Sequence, residues 1–290
     1  MTLTIPALRA RGAARRRPRR PLGLVLAAAF LSLVVLTAVL APVLAPHSPE
    51  ATDLLNSLAP PGTEGHWLGT DSTGRDVLSR LMHGARLSLL APLGVVLLSG
   101  VLGTAVGLLA ARAGGWVDAV LTRAMDIVFA FPSLLLAMLV VAVFGPGLAA
   151  PVCALAVAYT PFLGRVVRSM ALQEGARPYM ESYRVMGFGE WWVTLRHLLP
   201  NVAPVILAQG TLSFGYALVD LASLSYLGLG VRPPEADWGS MISQAQSAIL
   251  QGQPWSGLIP GIAVLLTVVS VNVLGEHLSG SIARRQGETR

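Results

Sequence analysis

The sequence contains no lysine: all 21 of its basic residues are arginines. A phosphate-binding loop of the GxxxxGK[ST] type needs a lysine to reach the phosphates, so this chain cannot supply one. If ATP powers the protein, a separate subunit must hydrolyse it. Cysteine is almost as scarce. Cys153 stands alone in an apolar run, which excludes an internal disulfide and leaves the redox compartment undetermined. Charged residues make up only 12% of the chain, against about 25% in an ordinary soluble domain. The five histidines (His47, His66, His83, His197 and His277) stand at no metal-ligand spacing, so no metal site is assigned. No Ser/His/Asp or Cys/His set stands out beyond residues scattered across different loops, so catalysis by this chain is not expected.

What is present is apolar. Hydrophobic residues make up 53% of the 290, and the mean hydropathy is +0.63. This composition describes an all-α integral membrane protein, with the lipid bilayer as its first partner. The net charge of +6 would ordinarily raise nucleic acid as a ligand. Here the arginines flank apolar runs, and membrane topology accounts for them more simply. No nucleic-acid partner is expected.

Six spans follow in order. Residues 1–20 form a basic tail with seven arginines, expected to be disordered, and 21–45 the first span. The competing reading is a cleaved signal peptide, but its apolar core would be only about 7–15 residues, and no small-x-small cleavage site follows. Residues 46–86 are a polar, turn-rich extracytoplasmic segment. Its second half continues as HWLGTDSTGRDVLSRLMHGARLSLL, His66–Leu90, a loop followed by an amphipathic helix begun near Asp71 or Ser72. Asp76 and Arg80 stand at i,i+4 for pairing. Asp71 and Asp76 also admit a catalytic reading, although Arg75 and Arg80 make ordinary surface pairing simpler.

Residues 87–278 form the membrane core. Leu87–Ala111 is the second span, with Gly94, Gly100, Gly103 and Gly107 allowing close helix contact. The third runs to Phe144 and is interrupted at Phe131-Pro132, as a static kink or a moving gate, the kink being simpler. The fourth, Leu148–Gly164, is short, with Arg165 and Arg168 placed to snorkel. The fifth runs over Val202–Gly228 and the sixth over Leu258–Leu278, joined by an external loop at 229–257. A basic tail, 279–290, closes the chain.

On the fifth span Gln209, Ser213, Tyr216, Asp220 and Ser223 alternate by four and three, which places them on one helical face. Such a stripe points inward, either lining an aqueous path or bonding helix to helix. Asp220 lies roughly 24 Å along from Pro204, toward the far side of the membrane. A carboxylate there is the sharpest pathway candidate.

Between the fourth and fifth spans, residues 165–204 are polar. Glu174, Arg177, Glu181 and Arg184 recur at helical spacings, so their charges can pair along a helix. Gly187, Trp191-Trp192 and Leu199-Pro200 follow. A short exposed helix held between two spans is well placed to be gripped by another protein. The segment resembles the coupling loop of ABC importer permeases, with the signature Glu-Ala-Ala, a Gly four residues on, and a Leu-Pro end. The matching positions are Glu181, Ser182, Tyr183, Gly187, Leu199 and Pro200, with Ser-Tyr in place of Ala-Ala.

Leu-Gly-Thr-Asp followed by Gly-Arg-Asp and Ser-Arg-Leu in the external segment narrows the resemblance to the dipeptide, oligopeptide and nickel permease family. So do Asp126–Ala137 and the Arg-Pro-Pro and Trp-Gly-Ser-Met strings of the 229–257 loop. The resemblance spans about residues 20–285. It implies a type I ABC importer permease bundle of about six transmembrane helices with a cytoplasmic coupling helix. It also implies a heterodimer with a second, homologous permease, two cytoplasmic ATPases that bind ATP and magnesium, and an extracytoplasmic solute-binding protein in a prokaryote. This chain would carry no cofactor. Asp71, Arg75, Asp76, Arg232 and Trp238 would face the binding protein, and Gln209, Ser213, Tyr216 and Asp220 the pathway. The cargo would be di- or oligopeptides, with nickel or a metal chelate as the alternative. Of other classes, an ion-coupled carrier using Asp220 would leave the charged loop unexplained, and a membrane hydrolase would lack its constellation.

Six spans with both ends cytoplasmic put 17 of the 21 arginines inside: the seven of the N-terminal tail plus Arg112, Arg123, Arg165, Arg168, Arg177, Arg184, Arg196, Arg284, Arg285 and Arg290. Only Arg75, Arg80, Arg86 and Arg232 fall outside, the pattern of the positive-inside rule.

Overall fold

The computed structural model describes residues 22–231 and 234–288. The N-terminal tail and Arg232 therefore lie outside the described residues. The long helices are α1 (Leu22–Leu44), α2 (Val77–Ala113), α5 (Ala149–Gly175), α8 (Leu199–Tyr226) and α11 (Trp255–Glu288). Two shorter ones, α3 (Gly115–Phe129) and α4 (Ser133–Phe144), form a bent pair. At one end of the bundle lie α6 (Pro178–Val185) and α7 (Glu190–Val193), with a π-helical turn at Thr194–Leu198 leading into α8. On the opposite side lie α9 (Trp238–Gln244) and α10 (Gln246–Leu250). Among the described residues five helices are long and apolar enough to cross a membrane, and the bent pair makes a sixth crossing if counted as one.

Glycine sets the central contact. A Cβ on Gly103 would lie 2.9 Å from the Thr160 carbonyl oxygen, and one on Gly107 only 2.5 Å from that of Gly164. With no side chains there, α2 and α5 approach backbone to backbone, the packing mode that small residues permit inside a membrane. Gly94 makes only ordinary contact with Val152, and Gly100 faces open space, so the expected four-glycine contact reduces to two. Around this pair α8 and α4 complete an apolar core with Val95, Ala137, Leu155, Ala217 and Leu224. α11 packs on α8, and α1 packs on α11 and α2.

The third crossing is not a kinked helix. α3 stops at Phe129, α4 restarts at Ser133, and the two are inclined by 83°. Proline has no N–H for the helical ladder, and it disfavours helical geometry in the residue before it. Pro132, with ψ 130°, becomes the N-cap of α4. The fourth crossing is longer than expected. α5 continues past Arg165 and Arg168 to Gly175, because both arginines find partners on α3. Arg168 holds Asp118 with two bonds of 2.6 and 2.5 Å, and Arg165 lies 3.4 Å from Asp126 with its guanidinium over the Phe129 ring. α11 likewise carries helix through the expected tail to Glu288.

The external segment is a folded knot, and it overturns the surface-pairing expectation. The helix does not begin at Asp71 or Ser72. Asp76 is the N-cap of α2, its Oδ2 accepting from the Ser79 amide (2.8 Å) and hydroxyl (2.7 Å). Asp76 therefore does not pair with Arg80. Arg80 donates to Asp71 (3.0 Å), whose carboxylate also accepts from Arg75 Nε, Thr73 Oγ1 and the Thr73 and Arg75 amides. Both arginines then donate to Gln244 Oε1 on α9, at 2.8 and 2.9 Å. Asp71, Asp76 and Arg80 are all buried. An arginine this enclosed is tolerated because its charge is matched and hydrogen-bonded.

Candidate functional site

The polar segment after α5 is two helices, not one. α5 ends at Gly175, and α6 restarts at Pro178, a residue preorganised for a first helical turn. Glu174 and Arg177 pair across this break at 2.7 Å, but Glu181 and Arg184 do not continue the series. Arg184 reaches Glu190 instead, at 3.9 Å, and Glu181 is exposed. Gly187 ends α6 with φ +81°, while a Cβ there would meet nothing within 4 Å. Backbone conformation, not space, is what requires glycine. Its amide bonds the Arg184 carbonyl, and the Phe188 amide reaches back to Tyr183 (3.1 Å), the bonding pattern of a Schellman cap.

Tyr183 turns inward. Its ring stacks on His197 (centroids 4.3 Å apart) and meets Phe188 and Trp192 edge-on at 5.8 and 6.5 Å. The bulky residue standing where the signature has alanine thus closes the underside of α6, and the exposed face keeps Glu181 and the small Ser182. Met180 anchors the same side among Leu108, Val167, Val193 and Leu198.

A half-buried polar triangle ties this helix to both neighbouring spans. Glu174 at the end of α5 accepts from the Tyr179 hydroxyl (2.6 Å) and from Asn201 Nδ2 on α8 (3.0 Å), and Asn201 also donates to the Tyr179 oxygen (2.9 Å). Burial and the Glu174 carboxylate push the Tyr179 hydroxyl up to about 12, so it stays a donor at neutral pH. The Glu174 carboxylate thus bonds α6 to α5 and α8 to α5 through charge-assisted bonds.

On the other candidate face, Asp220 Oδ2 accepts from Ser133 Oγ (2.8 Å) and Tyr159 Oη (2.9 Å). Ser133 is the first residue of α4, so the carboxylate sits at a positive helix end exposed by the break. The two donors, with Phe129, Phe131, Pro132, Phe162, Ser213 and Tyr216, line a cleft of about 300 Å³. Gln209 and Ser223 take other roles. Gln209 Oε1 is buried without a hydrogen bond among the described residues, and the Ser223 hydroxyl returns to its own helix at Val219. The stripe is therefore not one surface.

The bundle thus presents an exposed, glycine-capped helix between two of its spans. Residues 103–284 match the binding-protein-dependent transport system inner membrane component family, and residues 13–61 the N-terminal transmembrane domain of oligopeptide transport permease C. The chain belongs to the binding-protein-dependent permease family. It is 37% identical to the dipeptide transport system permease protein of Alkalihalophilus pseudofirmus over 90% of this chain and 84% of that one. It is 40% identical to the di/tripeptide permease of Pseudomonas aeruginosa (87% and 85%) and 38% identical to the glutathione permease of Pectobacterium atrosepticum (89% and 85%). Its fold is similar to a chain of the MetNI methionine ABC transporter in an inward-facing form, with TM-score 0.57, 19% identity and coverage of 71% of this chain and 97% of that one. The ion-coupled carrier reading falls with this family assignment.

In this permease the structure brings Glu181, Ser182, Tyr183 and Gly187 together on α6 and its cap. Leu199 and Pro200 open α8 beneath them. Three of the residues expected to face a binding protein are interior. Asp71 and Asp76 build the knot, and Trp238 is 1% exposed, its indole N–H donating to the Leu81 carbonyl. Arg75 is half-buried in its ion pair with Asp71. Sequence reading missed Trp67 (76% exposed) and Leu55 (98%), which stand out from the same loop. The apolar type of these residues within a polar segment was the available signal. It also missed Asn201 and Tyr179, whose roles depend on the turn between α5 and α6.

Proposed function

We propose that this chain is one of two related membrane subunits through which an ATP-driven importer moves short peptides into a prokaryotic cell. Two cytoplasmic ATPases, binding ATP and magnesium, drive the pair, one of them docking on α6, and an external solute-binding protein delivers the cargo. The observation that carries this reading is the Gly187-capped α6, exposed at Glu181 and Ser182 and bonded to both α5 and α8 through Glu174, Tyr179 and Asn201. ATPase closure pushes on α6, and the push rocks α5 and α8 to give alternating access. The arginine distribution supports placing both termini and α6 in the cytoplasm. Trp67, Leu54 and Leu55 offer the binding protein an apolar external face, and the cleft beside Asp220 is a stretch of the cargo path. Peptide cargo is supported by relatives named for dipeptides, di/tripeptides and glutathione.

The test is ATP hydrolysis by the reconstituted complex with and without binding protein and a dipeptide mixture. Stimulation by peptides is the expected result. Stimulation by nickel chelates alone would overturn the cargo, and a complex without an associated ATPase would overturn the mechanism.

A further inference from the structure

The five histidines show no ligand spacing along the chain, yet the fold brings two of them to one carboxylate. His47 follows the outer end of α1, His66 lies in the external loop, and Asp76 begins α2. The two imidazoles stack with centroids 4.9 Å apart and planes inclined by 29°. His66 Nδ1 lies 3.0 Å from Asp76 Oδ1, and one ligand atom from each of the three residues lies within 4.8 Å of the other two. We propose that His47, His66 and Asp76 form an extracytoplasmic binding site for a divalent transition-metal ion of the zinc class.

Two imidazoles and a carboxylate, with water in the remaining position, are a donor set that suits zinc. Zn–N bonds of about 2.0–2.1 Å in a tetrahedron put neighbouring ligand atoms roughly 3.3 Å apart. His66 and Asp76 already stand at 3.0 Å, so only His47 has to move inward. It can do so freely, since neither of its ring nitrogens makes a hydrogen bond among the described residues.

One serine holds the frame. Ser79 fixes Asp76 Oδ2 through its amide and hydroxyl, and the same hydroxyl accepts the His47 backbone N–H at 3.1 Å. Oδ1 is thereby aimed at the histidines. Support of this kind behind the ligands is what keeps a metal site in register.

Charge points the same way. Asp76 is 2% exposed, and the neighbouring arginines are committed elsewhere, to Asp71 and Gln244. His66 is its only ionisable partner among the described residues. A buried carboxylate so placed is stabilised by a cation. A simple His66–Asp76 hydrogen bond accounts for two of the residues but gives the His47 ring no role. A bound ion would staple the outer end of α1, otherwise packed through apolar contacts, to the loop and to α2.

The full chain with its co-purifying subunits, made without a polyhistidine tag, is stripped with EDTA, loaded with ZnCl2 and desalted. Metal content and thermal unfolding are then measured. About one zinc per chain is expected for the wild type. At least tenfold weaker retention is expected in His47→Ala, with His277→Ala unchanged. Metal-free His47→Ala loses only the ring stack on His66, so its midpoint should fall slightly, and zinc should raise the midpoint of the wild type but not of the variant. Equal zinc retention by wild type and His47→Ala, or none by the wild type, would overturn the site.

Discussion

Tyr183 lies flat on His197, the planes of the two rings inclined by only 20°. This contact, beside the packing of Met180 on Leu198, joins α6 to the π-helical turn that opens α8, so the bulkier of the two residues that depart from the family signature helps to seat α6. Replacing Tyr183 with alanine removes that contact and the edge-on contacts to Phe188 and Trp192, each aromatic pair worth about 0.5–1.5 kcal/mol beyond its buried area. Faster amide exchange across 178–188 and weaker peptide-stimulated ATPase activity are the expected outcomes. Tyr183→Phe keeps the rings and should behave as wild type; a defect of equal size in both variants would count against the stacking argument.

Gly187 tests backbone against space. An L residue in left-handed geometry is destabilised by roughly 1–2 kcal/mol, and a Cβ there meets nothing. Gly187→Asn should therefore be milder than Gly187→Val, and Gly187→Pro should abolish co-purification of the ATPase. Retention of the ATPase by Gly187→Pro at the wild-type level would contradict docking at α6.

The α2–α5 approach makes a sharper contrast. Gly107→Val places carbon against the Gly164 carbonyl and should prevent accumulation of folded chain. Gly100→Val, seven residues earlier on the same helix, faces open space and should be tolerated. Size-exclusion profiles in detergent separate the two.

Asp220 receives two hydroxyl donors at the α3–α4 break. Asp220→Asn keeps an acceptor oxygen there, while Asp220→Ala removes the acceptor of two half-buried hydroxyls, each hydrogen bond worth about 0.5–1.5 kcal/mol. The alanine variant should melt several degrees lower than the asparagine variant. Equal melting would mean the junction contributes little to stability.

The external knot should respond to acid. Burial pushes the Asp71 carboxyl up, but hydrogen bonds from Thr73 and Arg75, with the Arg75 charge, outweigh this and hold it below its ordinary 3.8. A depressed folded pKa stabilises above the unfolded value and loses that contribution as pH falls through the folded one. The unfolding midpoint should therefore not fall on account of Asp71 until the pH drops below 3.8, and Asp71→Asn should start lower and lose less in that acid range.

Much of the coupling segment was legible because its determinants are local. A helix-stopping glycine and a Leu-Pro entry act within a turn or two of their own positions. The pairing along Glu174–Arg184 was misread because one short break, at Ala176-Arg177, changes which side chains share a face. The external motif was recognised but given the wrong role. Charged residues in a polar stretch read as surface, and only the fold reveals that Asp71 and Arg80 close on each other from nine positions apart.

Sequence by itself determined that this chain lives in a membrane and roughly how many apolar crossings it has. Hydropathy and charge act segment by segment, and a bilayer reads them one dimension at a time. Tertiary structure decided which polar groups meet. Arg75 finds Gln244 across 169 positions, Trp238 finds Ser88 across 150, and His47 finds His66 between two crossings. Those meetings depend on how α1, α2 and α9 pack together, and packing of that kind is set by the whole bundle rather than by any one segment.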